Sequence, residues 1–325
     1  MITEIDSKNI FDKNLDEQFL YKKYPQLLNI LLIDRTTGNN ILWATDNYER
    51  YGILHQAQSE ITVESITGKY SGIIAPRVYK SRNTQISRTK KKAEVFTPSW
   101  ICNLQNNLVD EAWFGKRDIF NYENDKTWIA TTNKIEFPDK PSKRWSDYVD
   151  ECRLEITCGE APYLVSRYDA TTAEAIQLND RIGLLDRKLR VVDENVETEA
   201  DWLKWSQRAF ESIYGFEYQG DSLFLARENL LATYVDYMNY FLSRNPSEQE
   251  LLRIADIISW NIWQMDGLTG YPPYSDKSES NAQPSLFDLM EDEIDNNHSS
   301  KPCIIKDWRE NKINVFNDLL SKGNK

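Results

Sequence analysis

Two stretches of the sequence place an acidic residue at or near the end of a strand-like run. The first, residues 154–163, reads Leu-Glu-Ile-Thr-Cys-Gly-Glu-Ala-Pro-Tyr and puts Glu155 just ahead of a loop of small residues. The second, residues 213–218, reaches Glu217 shortly before a long helical pattern. Gly159 tolerates backbone torsions that other residues avoid, so the loop lets backbone approach a ligand closely. Because ligands of open α/β sheets bind at the carboxyl ends of strands, the two stretches predict a shared ligand site.

Composition restricts the class of protein. The 325 residues, 40% hydrophobic and 12% aromatic, suit one large globular domain or two ordinary ones. The formal net charge of −12 argues against a surface coated in basic residues but allows a local basic groove. The four cysteines form no CxxC pair and the two histidines lie far from them, so no metal site is predicted. The scattered cysteines fit free thiols in a reducing cytosol. The sequence has no apolar signal core and no apolar run near the ~20 residues that a membrane helix needs. These features predict a soluble cytoplasmic protein.

Residues 76–92 form a basic run in this acidic chain. Short polar side chains such as Asn83 and Thr84 lie among its cations, a combination that phosphate contacts require. The run therefore predicts a DNA contact, and the alternative is a solvated charged loop. The residues predicted to contact DNA are Arg77, Lys80, Arg82, Arg88, Lys90, Lys91 and Lys92. A second, smaller basic patch indicates either DNA recognition or structural packing, and it consists of Arg181, Arg187, Lys188 and Arg190.

Residues 155–163 resemble the first S-adenosylmethionine motif of amino-group DNA methyltransferases, commonly Asp-Pro-Ala-Cys-Gly-Thr-Gly-Gly-Phe. The acid, the Cys-Gly pair and the final aromatic agree, whereas Ala161 stands at the second glycine and Pro162 removes a backbone donor. Residues 94–98, Glu-Val-Phe-Thr-Pro, are similar to the N-terminal cofactor motif of the same enzymes. The alternatives are an ordinary strand and turn for the first stretch, and a helix start at Pro98 for the second.

Two later stretches follow the order of motifs in the same enzymes. Residues 213–231 resemble the second cofactor motif, which implies that Glu217 accepts hydrogen bonds from ribose hydroxyls. Residues 257–268 are similar to the third, which implies that Asp266 lies beside the adenine ring. The alternatives are a polar strand tip and a turn aspartate before Gly267. The cofactor-binding residues that the resemblance implies are Thr97, Pro98, Glu155, Cys158, Gly159, Glu217 and Asp266.

Amino methyltransferases also carry an Asn, Asp or Ser followed by Pro-Pro and an aromatic residue, which holds the target amine and stacks on an extruded base. This chain has two imperfect matches. Residues 270–274 contain Pro-Pro-Tyr, but Tyr271 replaces the polar residue. Residues 306–308, Lys-Asp-Trp, end an apolar run but lack the prolines. The second match is preferred, so the predicted catalytic residues are Asp307 and Trp308 with Asp266, and the alternative is that neither match is catalytic.

The whole chain is also similar to the restriction endonuclease subunit M family. The resemblance lies in residues 34–48, 93–107, 153–169, 182–195, 214–231 and 257–268. It implies an α/β fold with a Rossmann-like sheet of the S-adenosylmethionine-dependent methyltransferase type, helices on both faces, and a sheet incomplete at its C-terminal strands. The missing edge would come from residues 1–75, from a partner, or not at all.

The same resemblance and the composition predict how the chain is divided. The predicted units are an N-terminal module (1–92), a methyltransferase-like core (93–274) with insertions at 115–150 and 164–200, an acidic flexible linker (275–300), and a last strand and helix (301–325).

The family implies a DNA adenine N6-methyltransferase, the modification subunit of a restriction–modification system. Its cofactor would be S-adenosyl-L-methionine, and its partners would be double-stranded DNA and a restriction or modification protein. The alternative is a non-catalytic methyltransferase-like subunit that binds DNA or a partner, which Pro162 and the absence of Asn-Pro-Pro-Tyr favour. A protein that mimics DNA would follow from the acidity alone, and the basic run counts against it.

Overall fold

The computed structural model of the protein describes residues 17–80, 97–275 and 301–322. Its α-helices are α1 (Glu17–Lys23), α2 (Pro25–Leu32), α3 (Val63–Ile66), α4 (Ser99–Phe114), α5 (Trp145–Asp150), α6 (Leu184–Asn195), α7 (Glu199–Glu211), α8 (Gly220–Leu242), α9 (Glu248–Asn261) and α10 (Phe316–Lys322). Its strands are β1 (Asn121–Asn124), β2 (Thr127–Ala130), β3 (Arg153–Glu155), β4 (Ile213–Glu217), β5 (Ile262–Gln264), β6 (Ile304–Asp307) and β7 (Lys312–Val315). Helices and strands alternate through the core, so the fold is mixed α/β.

A parallel sheet in the order β3-β4-β5 organises the core. Arg153 pairs with Ile213, and Gly215 pairs with Ile262. Parallel neighbours need long crossovers, which α6 and α7 supply between β3 and β4, and α8 and α9 supply between β4 and β5. All three strands therefore end at the same side of the sheet, which we call the carboxyl edge. Their starting side is the amino edge.

The two faces of this sheet are covered differently. Ile213 and Ile262 belong to the large core cluster that also contains the apolar sides of α8 and α9. On the other face, Phe216 and Trp263 pack with Cys303 and Phe316 from the C-terminal segment. Helices on both faces were predicted. In the described ranges the second face is covered instead by the antiparallel β6–β7 hairpin and the start of α10.

The long helices form where the sequence predicted them. Ser247 caps α9 in the predicted capping box: its hydroxyl accepts from the amide of Glu250, whose carboxylate accepts from the amide of Ser247. The buried guanidinium of Arg227 joins α8 to its neighbours by donating to the carbonyls of Leu31 and Ile262 at 2.7 and 2.8 Å. Buried carbonyls at the ends of α2 and α9 thus receive donors from α8.

The N-terminal module lies partly over the carboxyl edge. Apolar residues between positions 19 and 31 have the spacing of a helix, but the structure has two helices there, because Pro25 begins α2 and lacks the amide that would continue α1. After the turn at residues 34–40, the backbone of Leu42 forms two hydrogen bonds with the side-chain amide of Gln264. The Leu42 amide donates to Oε1, and Nε2 donates to the Leu42 carbonyl, both at 2.8 Å. The amide of Gly220 donates to the carbonyl of Trp43 at 3.0 Å. Residues 42 and 43 therefore border the ends of β4 and β5.

The predicted insertions have different structures. Residues 115–150, predicted as an insertion, contain a hairpin in which β1 and β2 pair with Asn124 opposite Thr127. The segment 164–200, predicted as an insertion, contains α6, most of which is buried. The single last strand predicted after residue 301 is a two-stranded hairpin followed by α10. Within the described ranges, no helix has the length and apolar character needed to cross a membrane.

Candidate functional site

The loop after β3 has an unusual backbone. Thr157, Gly159 and Ala161 have φ angles of 48°, 54° and 63°, in the left-handed region that side chains other than glycine rarely adopt. The amide of Cys158 donates to the carbonyl of Phe216 on β4 at 2.8 Å, which ties the loop to the neighbouring strand. Ala161, which departs from glycine in the motif comparison, thus has a glycine-like torsion. Strained residues of this kind cluster at functional sites.

Glu217 lies at the tip of β4 and faces this loop. One carboxylate oxygen accepts from the amide of Gly159 at 2.9 Å, and the other accepts from the amide of Gln219 at 3.1 Å. The Glu217 side chain is buried, with 8% of the residue exposed. Apart from its two chain neighbours, no atom of the described residues lies within 4 Å of the position that a Cβ on Gly159 would occupy. The loop and the strand tip therefore meet at the carboxyl edge, and we call the open space beside Gly159 the crevice.

Glu155, at the end of β3, is a half-buried acid with a buried, unsatisfied oxygen. Its Oε2 is out of contact with water and has no hydrogen-bond partner in the described part of the chain. Burial raises the pKa of Glu155 well above its ordinary value, and the nearby Glu217 carboxylate adds to this, while the amides of Tyr163 and Leu164 act in the opposite direction. A buried acceptor without a donor is uncommon and marks a place where a ligand donor would be stabilised.

The start of α4 lies against the same loop. Burial raises the pKa of the Tyr163 hydroxyl, and a hydrogen bond with the side chain of Thr97 lowers it. Burial, and then the charge of Glu155, raises the pKa of the Cys102 thiol on α4 to about 12. Pro98 precedes the first helical residue, as predicted. The structure thus brings Thr97 and Pro98 close to Glu155, although 58 positions separate residues 97 and 155 in the sequence.

Asp169 also belongs to this region and was not predicted. Its Oδ2 accepts from the amide of Ser99 at 2.7 Å, so a loop beyond the first motif caps the start of α4. The other oxygen accepts from the amides of Thr171 and Thr172 at 2.8 and 2.9 Å. The only sequence signal was Asp-Ala-Thr-Thr, which is typical of an Asx turn and does not reveal the distant partner.

Asp266 and the Pro-Pro-Tyr segment lie together at the carboxyl edge. Asp266 follows the end of β5, and its amide donates to the carbonyl of Tyr271 at 2.8 Å. One carboxylate oxygen of Asp266 accepts from the amide of Leu268 at 2.8 Å, which closes the turn. The ring of Tyr274 lies 6.2 Å from that of Tyr218, the residue after Glu217. The match at residues 270–274, which sequence analysis ranked second, is therefore on the same edge as Glu217.

Asp307 and Trp308 are placed at the amino edge, which corrects their assignment as catalytic residues. The indole of Trp308 donates to the side chain of Asn261, the residue before β5, at 2.7 Å. Arg309 pairs with Asp150, which precedes β3, at 2.8 Å. Asp307 accepts from the amides at positions 309 and 310 and so closes the hairpin turn. The length of the sheet thus separates both residues from the loop at Gly159.

The predicted DNA contacts are only partly described. Arg82, Arg88, Lys90, Lys91 and Lys92 lie outside the described residues. The ammonium of Lys80 donates to the buried carboxylate of Asp221 at 2.8 Å, and its side chain is 11% exposed. The backbone amide of Arg77 donates to Glu160 at 2.7 Å. The prediction for Lys80 is therefore corrected: it forms an internal ion pair that attaches the N-terminal module to the start of α8.

Two residues of the second basic patch, Arg187 and Lys188, serve packing, one of the two roles predicted for the patch. Arg187 is 1% exposed and forms a buried ion pair of 2.5 Å with Asp110. The ammonium of Lys188 donates to the carbonyls of Val149 and Glu151 and to the hydroxyl of Ser212. These two cations face the interior of the helical core. They are unavailable to a DNA backbone.

No family model, curated protein or solved structure matches this chain.

Proposed function

We propose that the carboxyl edge binds S-adenosylmethionine. The observation that carries the proposal is the hydrogen bond between the amide of Gly159 and the carboxylate of Glu217. This bond joins a loop that contains residues with left-handed backbone torsions to an acid at the tip of the adjacent parallel strand. Dinucleotide-binding sheets hold a nucleotide with a loop whose backbone approaches the ligand closely and with an acid nearby that binds the ribose.

The polar groups of the crevice fit this cofactor. S-adenosylmethionine presents ribose hydroxyls and an ammonium, all of which donate hydrogen bonds. Two buried acceptors here have no partner within the described ranges: Glu155 Oε2 on β3 and Gln219 Oε1 after β4. Each would gain a donor from the cofactor, and an unsatisfied buried acceptor costs about 1–3 kcal/mol. Glu217 and Thr97 border the same space and would orient the ligand.

S-adenosylmethionine, when bound, supplies a methyl group carried on a positively charged sulfur. The task of the chain is to hold this group and exclude water around it. Glu155 is suited to hold the cofactor's positive charge, because its buried carboxylate is stabilised by any cation that approaches it. The N-terminal module contributes by covering part of the edge through Leu42 and Gln264.

The adenine amino group of DNA is the methyl acceptor that we propose. The motif order in the sequence supports this acceptor, and so does the position of Pro272–Tyr274 beside Asp266 at the carboxyl edge. The Tyr274 side chain is 43% exposed and offers an aromatic face on which an extruded base would stack. The chain would then be the adenine-specific modification subunit of a restriction–modification system, acting with a partner protein.

A non-catalytic cofactor-binding subunit is the second candidate. It is favoured by Tyr271, which stands where amino methyltransferases have Asn, Asp or Ser and cannot serve as an amide or carboxylate acceptor. Such a subunit would use bound cofactor as a structural or regulatory ligand. It would bind DNA or a partner without methyl transfer.

Calorimetry with S-adenosylmethionine, followed by transfer of labelled methyl to a DNA library, tests both candidates. We expect saturable binding by the folded protein and incorporation of label into adenine, with or without the neighbouring gene's product. Heat of binding without incorporation in either case would select the non-catalytic subunit. No binding by protein shown to be folded by circular dichroism would refute the cofactor proposal.

A further inference from the structure

A polar cavity of about 590 Å³ lies beside Tyr168, whose hydroxyl donates to Glu160 at 2.7 Å. Its walls are the loop that carries Arg167 and Arg181, the α8 segment from Val235 to Asn239, and the 3-10 turn Arg77–Tyr79. None of the residues assigned above to cofactor binding lines it. Its volume falls within the range of small-molecule sites in proteins.

The charged residues that line this cavity are mainly cations. They are three arginines, Arg167, Arg181 and Arg244, and one acid, Asp236. Asp236 is shared, since the same oxygen accepts from Arg167 at 3.0 Å and from Arg181 at 2.6 Å. Arg244 pairs with two glutamates that are not part of the lining. The wall therefore presents more guanidinium than carboxylate to whatever enters.

Arg181 has donors that the described chain does not satisfy. Its side chain is 8% exposed, and Nε and Nη1 are buried with no hydrogen-bond acceptor. The carboxylate of Asp186 lies 3.9 Å from Nη1, which is too long for a hydrogen bond. Unpartnered guanidinium donors are costly to bury, and their planar geometry matches the oxygens of a phosphate.

The rest of the lining adds neutral donors and an aromatic ring. Gln177, Asn239 and Asn245 carry amide side chains at the cavity. Tyr79 lines the same cavity and is 56% exposed. An aromatic residue of this kind, in the same cavity as the cations, offers a face on which a nucleobase stacks.

We propose that this cavity is a phosphate subsite, in which Arg181 and Arg167 hold the phosphate of a nucleotide whose base lies against Tyr79. The site is separate from the carboxyl edge and needs no cofactor there. The phosphate comes either from a free mononucleotide or from a nucleotide within a DNA strand. The same donors serve both sources.

Calorimetric titration of the full chain at saturating S-adenosylmethionine tests the proposal, with inorganic phosphate, adenosine 5′-monophosphate and a single-stranded 12-nucleotide DNA as three separate ligands. We expect Arg181→Lys to weaken binding about tenfold, because lysine keeps the charge but loses the planar fork. Asn239→Asp, at an exposed position on the rim, adds a negative charge without touching the buried ion pairs and should weaken binding to a similar degree. Arg117→Gln, on an exposed side chain elsewhere, is the matched charge control and should bind as the parent does.

The ligands distinguish the source of the phosphate. If the mononucleotide binds and both cavity variants weaken that binding, the site is assigned to a free nucleotide. If only the oligonucleotide binds and the same variants weaken it, the site is assigned to a strand of DNA. Absence of binding by all three ligands, or affinities that both variants leave unchanged, would overturn the proposal. Glu155→Gln is a variant of the cofactor site and should bind the nucleotide as the parent does. If it too loses nucleotide binding, the nucleotide binds at the carboxyl edge instead of in this cavity. The variant therefore separates a failure of this site from a failure of the cofactor site.

Discussion

Glu155 at the carboxyl edge of the sheet and Lys188, in the cluster that it forms with Arg187 on α6, both bury charged groups, but the protein satisfies these two groups differently. Lys188 has three protein acceptors, which matches the three hydrogens of an ammonium. Glu155 has an oxygen that no protein donor reaches in the described ranges. Lys188, whose partners are all internal, contributes to the fold, whereas the open position at Glu155 lies at the proposed cofactor site and indicates a ligand. The following predictions test that distinction.

The largest effect is expected in the α6 cluster. Arg187→Met leaves the carboxylate of Asp110, which is 2% exposed, without its cation. Breaking a buried pair from one side costs about 3–5 kcal/mol, so the free energy of unfolding in urea should fall by that amount. Cofactor affinity of the folded protein should stay the same. Arg253→Met, on the exposed side of α9, is the control and should change the free energy of unfolding by less than about 0.5 kcal/mol. An equally small loss for Arg187→Met would contradict the structural role of Arg187.

The carboxyl edge should respond in the opposite way. Glu217→Ala removes the carboxylate that faces the loop and should weaken binding of S-adenosylmethionine by about 1–3 kcal/mol, the cost of losing hydrogen bonds to a charged acceptor. Calorimetry measures the change. Glu197→Ala is the matched control, because Glu197 is an exposed acid between α6 and α7. Equal affinities for the two variants would mean that the second cofactor motif has been placed wrongly.

The pH dependence of cofactor binding should report on Glu155. Its pKa is raised by burial, so the folded free protein keeps a proton there that the unfolded chain has released. Glu155 therefore contributes stability at low pH, and that contribution is lost as pH rises through the raised pKa. A cationic cofactor binds the deprotonated form, so its affinity should rise up to about tenfold per pH unit below that pKa. The other titratable groups near Glu155 are Glu217, Cys102, Cys158 and Tyr163.

Glu155→Gln provides the control for this measurement. Glutamine does not titrate, so affinity measured between about pH 5 and pH 7 should become flat, and the loss of unfolding free energy with rising pH should shrink. A slope that persists unchanged in this variant would assign the pH dependence to another group. That result would remove the distinction between Glu155 and the fully satisfied Lys188.

The smallest effect is expected from the loop backbone. Ala161 has a φ of 63°, where alanine is strained and glycine is not. Ala161→Gly should raise the free energy of unfolding by up to about 1 kcal/mol and leave cofactor affinity intact. Gly159→Ala, at a φ of 54° with open space around it, should lower stability by a similar amount. If urea unfolding shows that Ala161→Gly destabilises the protein, the packing of the alanine methyl group outweighs the backbone strain at this position.

Much of the local structure could be predicted from the sequence. The spacing of apolar residues predicted α8 and α9, and the Ser-x-x-Glu pattern at 247–250 predicted the cap that the structure contains. The parallel pairing of β3 with β4 was implicit in the long helical segments between them. These features depend on neighbouring residues alone.

The errors came from tertiary contacts. Nothing in the sequence around Lys80 shows that Asp221, 141 positions away, would pair with it. The same applies to the Arg187–Asp110 pair, 77 positions apart, which decides between the two roles left open for this part of the basic patch, DNA recognition and packing, in favour of packing. Asp307 was chosen because it follows an apolar strand, but whether a strand ends at the carboxyl or the amino edge depends on its direction in the folded chain.

The sequence by itself determined the order of strands and helices, the acids at the strand ends, and the glycine in the first loop. Only the tertiary structure decided which of the charged residues face the interior and which edge of the sheet each segment reaches. The physical reason is that burial and direction depend on contacts between distant segments. Local spacing therefore predicts Glu155 and Glu217 as neighbours of a ligand, while the roles of Lys80, Lys188 and Asp307 follow only from the folded chain.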